Sequence, residues 1–255
     1  MLPSNKNKGK PMRFKAFAVS VVAVVLFASG CGGQKDIVEQ KSAGAGDSTS
    51  ASGASPTSEA SPTSEPAKAA GSLVESGFGQ KDEYVWVTSL VHNNSDTVGQ
   101  SVTVQFNAMD KTGALVKSAS QVEFFTRIGQ DLAVGTQMDV PKGTKVATIE
   151  ATLLIEDLGV SSSEPSPEMK TTPVKVVAGQ YGGVTANFEL INPTSAPVKD
   201  ARLGIICYNA AKKIIGGGMD FPTLVPPSGK IAVETDILTT GKPASCKVFV
   251  GALGV

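Results

Sequence analysis

Apolar and polar positions fall into three patterns along the chain. The first is one compact apolar run, Ala16 to Phe27 (AFAVSVVAVVLF), interrupted only by Ser20 and preceded by Lys6, Lys8, Lys10, Arg13 and Lys15. It is shorter than the roughly 20 residues a membrane-spanning helix needs, and it has the length of the apolar core of an export signal. From Gly32 to about Gly71 the pattern disappears into Gly, Ser, Ala, Thr, Pro and charge, with a direct repeat, ASPTSE at 54–59 and again at 60–65. Such a composition buries too little apolar surface to offset the entropy of ordering, which predicts a disordered tether over residues 31–72. At about 5–6 Å × √n, a flexible coil of that length reaches typically about 35 Å. Its Ser/Thr/Pro content also suits O-glycosylation.

After residue 72 apolar positions return in short runs separated by Gly, Pro, Asn and Asp, and the period becomes two. Val102, Val104, Phe106 and Ala108 fall on one side of a strand, with Thr103, Gln105 and Asn107 on the other. Ile149, Ala151, Leu153 and Ile155 share a face in the same way. This alternation marks strands with one buried face, and Asp110-Lys-Thr-Gly113 has the chemistry of a turn between two of them. No stretch beyond the signal carries a helical period. A second Pro/Ser/Glu stretch, 161–173, splits the region into halves at 73–160 and 174–255, each the size of a small all-β domain.

The halves resemble one another. Val87-Thr88 matches Val184-Thr185, the Asn94 turn matches Asn192, and 104–110 (VQFNAMD) matches 203–209 (LGIICYN). Phe125-Thr126 is set against Phe221-Pro-Thr223, Leu132-Ala-Val134 against Ile231-Ala-Val233, and Leu158-Gly-Val160 against Leu253-Gly-Val255. The ordered set indicates a tandem duplication, and two antiparallel β-sandwiches in series are the simplest architecture.

Two resemblances can be attached to particular residues. Ala28-Ser-Gly-Cys31 is similar to the lipobox of bacterial (Gram-positive, actinobacterial-like) lipoproteins, with Ala28 where that family usually has Leu. The resemblance implies cleavage after residue 30, lipid on Cys31 (palmitate among the acyl chains), and a protein held at the extracytoplasmic face of the cell membrane. The run 102–116 (VTVQFNAMDKTGALV) resembles the central hairpin of FxLYD-type immunoglobulin-like domains, and 201–218 is a worn version of it. Leu224-Val-Pro-Pro-Ser-Gly229 resembles the Pro-Gly turn placed before a late strand in those domains. This second likeness implies an immunoglobulin-like fold and brings no catalytic residue.

Charge then narrows the partners. The chain has 23 basic and 23 acidic residues, and losing the five basic ones of the signal leaves 18 against 23. A mildly acidic product has no electrostatic footprint for nucleic acid or for anionic headgroups, so attachment to the membrane rests on the lipid.

Besides Cys31 there are two cysteines, Cys207 and Cys246, and an even pair in an exported chain reads first as a disulfide. In the repeat they align with Ala108 and Ala151, small inward residues, which suggests two positions in contact across the core. Closing that loop is worth about 4 kcal/mol by chain-entropy reasoning. Two separate buried thiols are the alternative.

Candidate chemistry is sparse. His92 is the sole histidine, before Asn93-Asn94-Ser95, which argues against a hydrolase triad or a multi-histidine metal site and for a plain strand-end role. Asp82, Glu83, Glu123, Glu156 and Asp157 have no metal-loop spacing and read mostly as surface charge. Gly216-Gly217-Gly218 reads as a strand bulge or turn rather than a phosphate loop. No catalytic, cofactor or metal residue is assigned. Tyr84 and Trp86 share one face of their strand, and the repeat aligns Trp86 with Gly183, so the common core does not require an aromatic there. The pair is either a binding anchor or packing against the linker or the other domain. Three functions remain in view: a non-enzymatic binding or envelope-assembly module with a protein partner, a ligand-capturing subunit of a transport or envelope system, and an enzyme of unfamiliar type.

Overall fold

A computed structural model describes residues 69–179 and 183–251, all within one compact unit. The signal, Cys31 and the tether up to residue 68 lie outside the described residues, as does Leu253-Gly-Val255. Those described are all-β. The first half holds β1 (Gly71–Lys81), β2 (Tyr84–Asn93), β3 (Ser101–Met109), β4 (Leu115–Phe124), β5 (Asp131–Asp139) and β6 (Thr148–Glu156). The second holds β7 (Lys170–Thr171), β8 (Lys175–Ala178), β9 (Val184–Ile191), β10 (Val198–Lys199), β11 (Leu203–Tyr208), β12 (Ile214–Asp220), β13 (Leu224–Val225), β14 (Lys230–Thr239) and β15 (Ser245–Val250).

Period-two alternation does what it should. In the first half the antiparallel sheets β1-β2-β5 and β4-β3-β6 face each other. Val85, Val87 and Val91 from one sheet meet Val102, Val104, Phe106 and Ala108 from the other, with Phe125, Leu132 and Val134 closing the core. Ile149, Ala151, Leu153 and Ile155 pack against the same core from β6. Burying a Val or Phe side chain this way contributes about 1.5–3 kcal/mol each.

The second half repeats the plan with one change. Its layers β8-β9-β14 and β12-β11-β15 are joined where β12 pairs with β14, at Gly216↔Thr239 and Gly217↔Leu238, giving one seven-stranded sheet that also includes β7. Gly216, at φ +132, occupies backbone space and a conformation that a side chain would not share with Leu238. The equivalent residues of β4 are Lys117 and Ser118, and in the first half β4 and β5 do not pair. The glycine run is therefore strand rather than turn, and it brings two sheet edges together.

Strand register fixes the repeat more firmly than letter matching does. Ala108↔Lys117 and the bulge at Met109↔Leu115 recur as Cys207↔Gly216 and the bulge at Tyr208↔Ile214, a constant shift of 99. Val91↔Leu132 recurs as Leu190↔Ile231 at the same shift. Asp110 Oδ1 accepts from the backbone N–H groups of Thr112 (2.8 Å) and Ala114 (3.0 Å), as Asn209 Oδ1 does from Ala211 and Lys213, both at 3.0 Å.

This register corrects four alignments, the first being Val87-Thr88, which corresponds to Ala186-Asn187 rather than Val184-Thr185. Trp86 corresponds to Thr185 rather than Gly183, because Trp86↔Gln137 matches Thr185↔Asp236. Cys246 corresponds to Ile149 rather than Ala151, since Ala108↔Ile149 matches Cys207↔Cys246. The turn asparagine equivalent to Asn192 is Asn93, not Asn94. The strand slips are of two residues, which preserve the face a side chain occupies, so alternation alone does not detect them; the asparagine slip is of one residue and falls in a turn, where alternation ends.

Asn93 and Asn192 are both buried and hold their turns by the same bonds. Asn192 Nδ2 donates to the carbonyls of Ala196 (2.7 Å) and Pro226 (3.1 Å), while Oδ1 accepts from Thr194 N (3.0 Å). Asn93 Nδ2 donates to Thr97 O (3.1 Å) and Arg127 O (3.0 Å), and Oδ1 accepts from Ser95 N (2.9 Å). Asn192→Ala leaves these buried groups without partners and is expected to cost about 2–3 kcal/mol in urea unfolding, whereas Asn94→Ala should cost under about 0.5 kcal/mol.

Boundaries shift as well. Pairing begins at Gly71, inside the expected tether. The expected linker 161–173 is tied down: Ser162 bridges Val98, Met169 is buried in the second core, and β7 pairs with β9. Its Pro/Ser/Glu composition concealed this because backbone pairing and one buried methionine suffice.

Candidate functional site

The two sandwiches meet face to face. Leu90 and Ala133 of β2 and β5 pack on Ile206, Tyr208 and Ile214 of β11 and β12, with Phe249 at the margin. Missing side chains allow the approach: a Cβ on Gly204 would lie 2.6 Å from that of Ala133, and one on Gly79 would lie 2.5 Å from Ile215 O. Polar clamps ring the contact. Tyr208 Oη donates to Glu75 (2.7 Å), Gln130 Nε2 to Val250 O (2.9 Å) and Gln80 N to Thr240 Oγ1 (2.7 Å). Burial first, and then the bond to Glu75, push the Tyr208 phenol upward from its ordinary range.

The most buried clamp is one that composition hid. Glu123, expected among the surface carboxylates, is 2% exposed and lies 3.0 Å from Nε of Arg202 in the other half. The Nε–H is not aimed at the carboxylate, so the contact is an ion pair rather than an aligned hydrogen bond. Burial raises the Glu123 carboxyl above its usual range, and Arg202 and the Gln121 amide pull against that shift. Arg202 also sits 5.0 Å over the Phe221 ring. The signal lay in register: Glu123 pairs with inward-facing Val102, so its side chain belongs to the covered face.

At the Tyr84 end of β2 the sandwiches diverge and leave a cleft of about 930 Å³. Tyr84, Trp86, Gln80 and Gln137 form the wall from the first half. Val176, Ala178, Gly183, Val184, Gly217, Gly218 and the 236–239 segment of β14 form the other, with Lys81, Lys242 and Pro243 at the margin. The structure separates the aromatic pair. Trp86 is half-buried against Gly217, and its indole N–H is buried without a hydrogen-bond partner. Tyr84 stays 45% exposed on the same wall. Packing thus takes most of Trp86, and both rings line the cleft. Gln80 is a structural residue: its amide donates to Asp82 O (2.9 Å) and Thr144 O (2.7 Å) and accepts from Val146 N (3.0 Å), pinning the β5–β6 loop. Asp236 and Lys242 are exposed. No histidine, cysteine or serine is among the described lining residues.

Other expected positions lie elsewhere. His92 is at the far end of β2, bonded through Nδ1 to Asp131 (2.8 Å) across the β2–β5 pair. Among the described residues no three His, Cys, Asp or Glu side chains converge as metal ligands. Cys207 and Cys246 form a disulfide, with Cα atoms 4.1 Å apart. They are direct neighbours on β11 and β15 of one sheet rather than partners across the core. A smaller, more polar hollow of about 600 Å³ lies near Arg127, Glu168 and Lys170.

No protein-family pattern matches the chain, and no curated protein matches it. Comparison with solved structures returns red sea bream transglutaminase at 12% identity, covering 70% of this chain and 29% of that one, with a TM-score of 0.24. A likeness of that size carries no functional argument.

Proposed function

We propose that the chain is a lipid-anchored, extracytoplasmic, non-enzymatic binding protein that presents the cleft between its sandwiches to a partner in the cell envelope. The observation that carries this reading is the cleft's position. The described chain enters the first sandwich at Gly71, at one end of β1, and the cleft opens at the other end, beside Gln80 and Lys81. Ten strand steps separate them, roughly 33 Å. With lipid on Cys31, the tether would join the domain at the near end and leave the cleft at the end remote from the attachment point. The lipobox resemblance supplies the anchor and the FxLYD resemblance a family of surface domains. The Cys207–Cys246 disulfide accords with an oxidising compartment.

The cleft also favours the second reading, a ligand-capturing subunit, over a flat docking face. Its size is that of a small-molecule or side-chain site, apolar with a few polar groups.

Two measurements test the proposal. Metabolic labelling with an alkyne fatty acid should tag the chain, and Cys31→Ser should abolish the tag. Crosslinking in intact cells followed by mass spectrometry should recover a partner that Tyr84→Ala loses. Labelling that persists in Cys31→Ser removes the anchor, and partners unchanged by Tyr84→Ala remove the cleft.

A further inference from the structure

Resting on the reading of the cleft as a binding site, we propose that its occupant is an extended peptide segment of another protein, paired along β8 with one apolar side chain in the cleft. Three observations combine. Tyr84 and Trp86 stand in the alternate-residue row of β2 that continues to Leu90, whose side chain is buried in the junction between the sandwiches. The cleft is therefore the unfilled end of an existing apolar interface, and an occupant extends packing that is already there. Secondly, β8 pairs with β9 on one side only, and among the described residues no strand pairs with its other side. An antiparallel pair directs the backbone groups of every second residue toward such a free edge. Thirdly, β8 itself borders the cleft through Val176 and Ala178.

A peptide answers all three features at once. Its main chain offers donors and acceptors at the spacing of β8, and its alternate side chains can enter the apolar space beside Tyr84. The exposed charges at the site, Asp236 with Lys81 and Lys242 at the margin, are of mixed sign, as a peptide main chain with its own mixed side chains can accommodate.

Trp86 is the chain's single tryptophan, so its emission reports on the cleft directly. The test selects binders to the purified full chain from a displayed library of short random peptides, resynthesises them and titrates them against that emission. Chitohexaose and an anilinonaphthalene dye serve as separate probes. Selected peptides are expected to share an apolar anchor, to change the emission saturably, and to weaken at least tenfold with Tyr84→Ala. N-methylation at alternate peptide positions should weaken them at least tenfold, and N-methylation at the intervening positions should not. Tolerance of N-methylation at every position overturns the pairing with β8. If chitohexaose or the dye moves the emission and no peptide does, the peptide assignment falls and the cleft remains a binding site. If no probe moves it, both fall.

Discussion

Arg202→Met is expected to destabilise the folded chain by about 3–5 kcal/mol at neutral pH, measured by chemical denaturation. The substitution keeps most of the volume over the Phe221 ring but removes the cation facing Glu123. A carboxylate 2% exposed then stays in the junction without a counter-charge, the case in which breaking a buried pair costs most. Replacing both members, as Glu123→Leu with Arg202→Met, should recover most of the loss, because the desolvation of both ions disappears together with their attraction.

The same pair sets a pH dependence of known sign. Glu123 has a folded pKa raised above its unfolded value, so its contribution is fully present below the unfolded value. That contribution is lost as pH rises through the folded value. Without Arg202 the opposing pull is gone and the shift grows. Arg202→Met should therefore regain stability on acidification from neutral pH to about 5, more steeply than the parent chain, and Glu123→Gln should flatten the profile in both. A parallel pH profile for Arg202→Met and parent would show that Glu123 does not feel Arg202.

Removing the disulfide with Cys207→Ala and Cys246→Ala should cost about 4 kcal/mol, within the usual range of about 2–5 kcal/mol. The bond closes a span of 39 residues running from β11 through β12, β13 and β14 to β15, so its loss frees most of the second sandwich in the unfolded state. The repeat supplies the control. Where the second half has this disulfide, the first has Ala108 beside Ile149. Cys207→Ala with Cys246→Ile copies that solution and should recover about 1–2 kcal/mol through the added apolar contact. Thermal unfolding of the three chains at one pH gives the order. Equal stability of parent and Ala/Ala double variant would mean that strand pairing alone holds β15 to β11.

Much of the fold was legible because alternation is a local property. Val102 to Ala108 announces its buried face, and Asp110 to Gly113 its turn, within a dozen residues. What sequence alone left hidden depends on which residues stand opposite one another. Glu123 looked like surface charge until pairing placed it beside Val102. Trp86 could be read either as a binding anchor or as packing, because the second half, which covers most of it, is not written in its own strand. The disulfide was readable as a pair, but its place within one sheet required the register of β11 with β15. The cleft had no sequence signature, since its walls come from both sandwiches and its apolar lining includes ordinary core residues such as Val176, Val184 and Ile237.

The heterologous way the sandwiches meet also explains why a duplicated β-sandwich need not keep adding units. On the β3–β6 face of the first copy stand Gln105, Asn107, Ser118, Ser120, Glu150 and Thr152, where the second copy, by register, has Gly204, Ile206, Gly217, Met219, Lys247 and Phe249. On the opposite layer Leu90, Trp86 and Gly135 of the first copy become Glu189, Thr185 and Glu234 in the second. Each copy has kept the sticky version of only one face, and they are different faces. At these positions neither outer face carries the interlocking small and apolar residues of the junction, so neither repeats that contact with a further copy, although Val122, Phe124, Leu154 and Val177 remain exposed there.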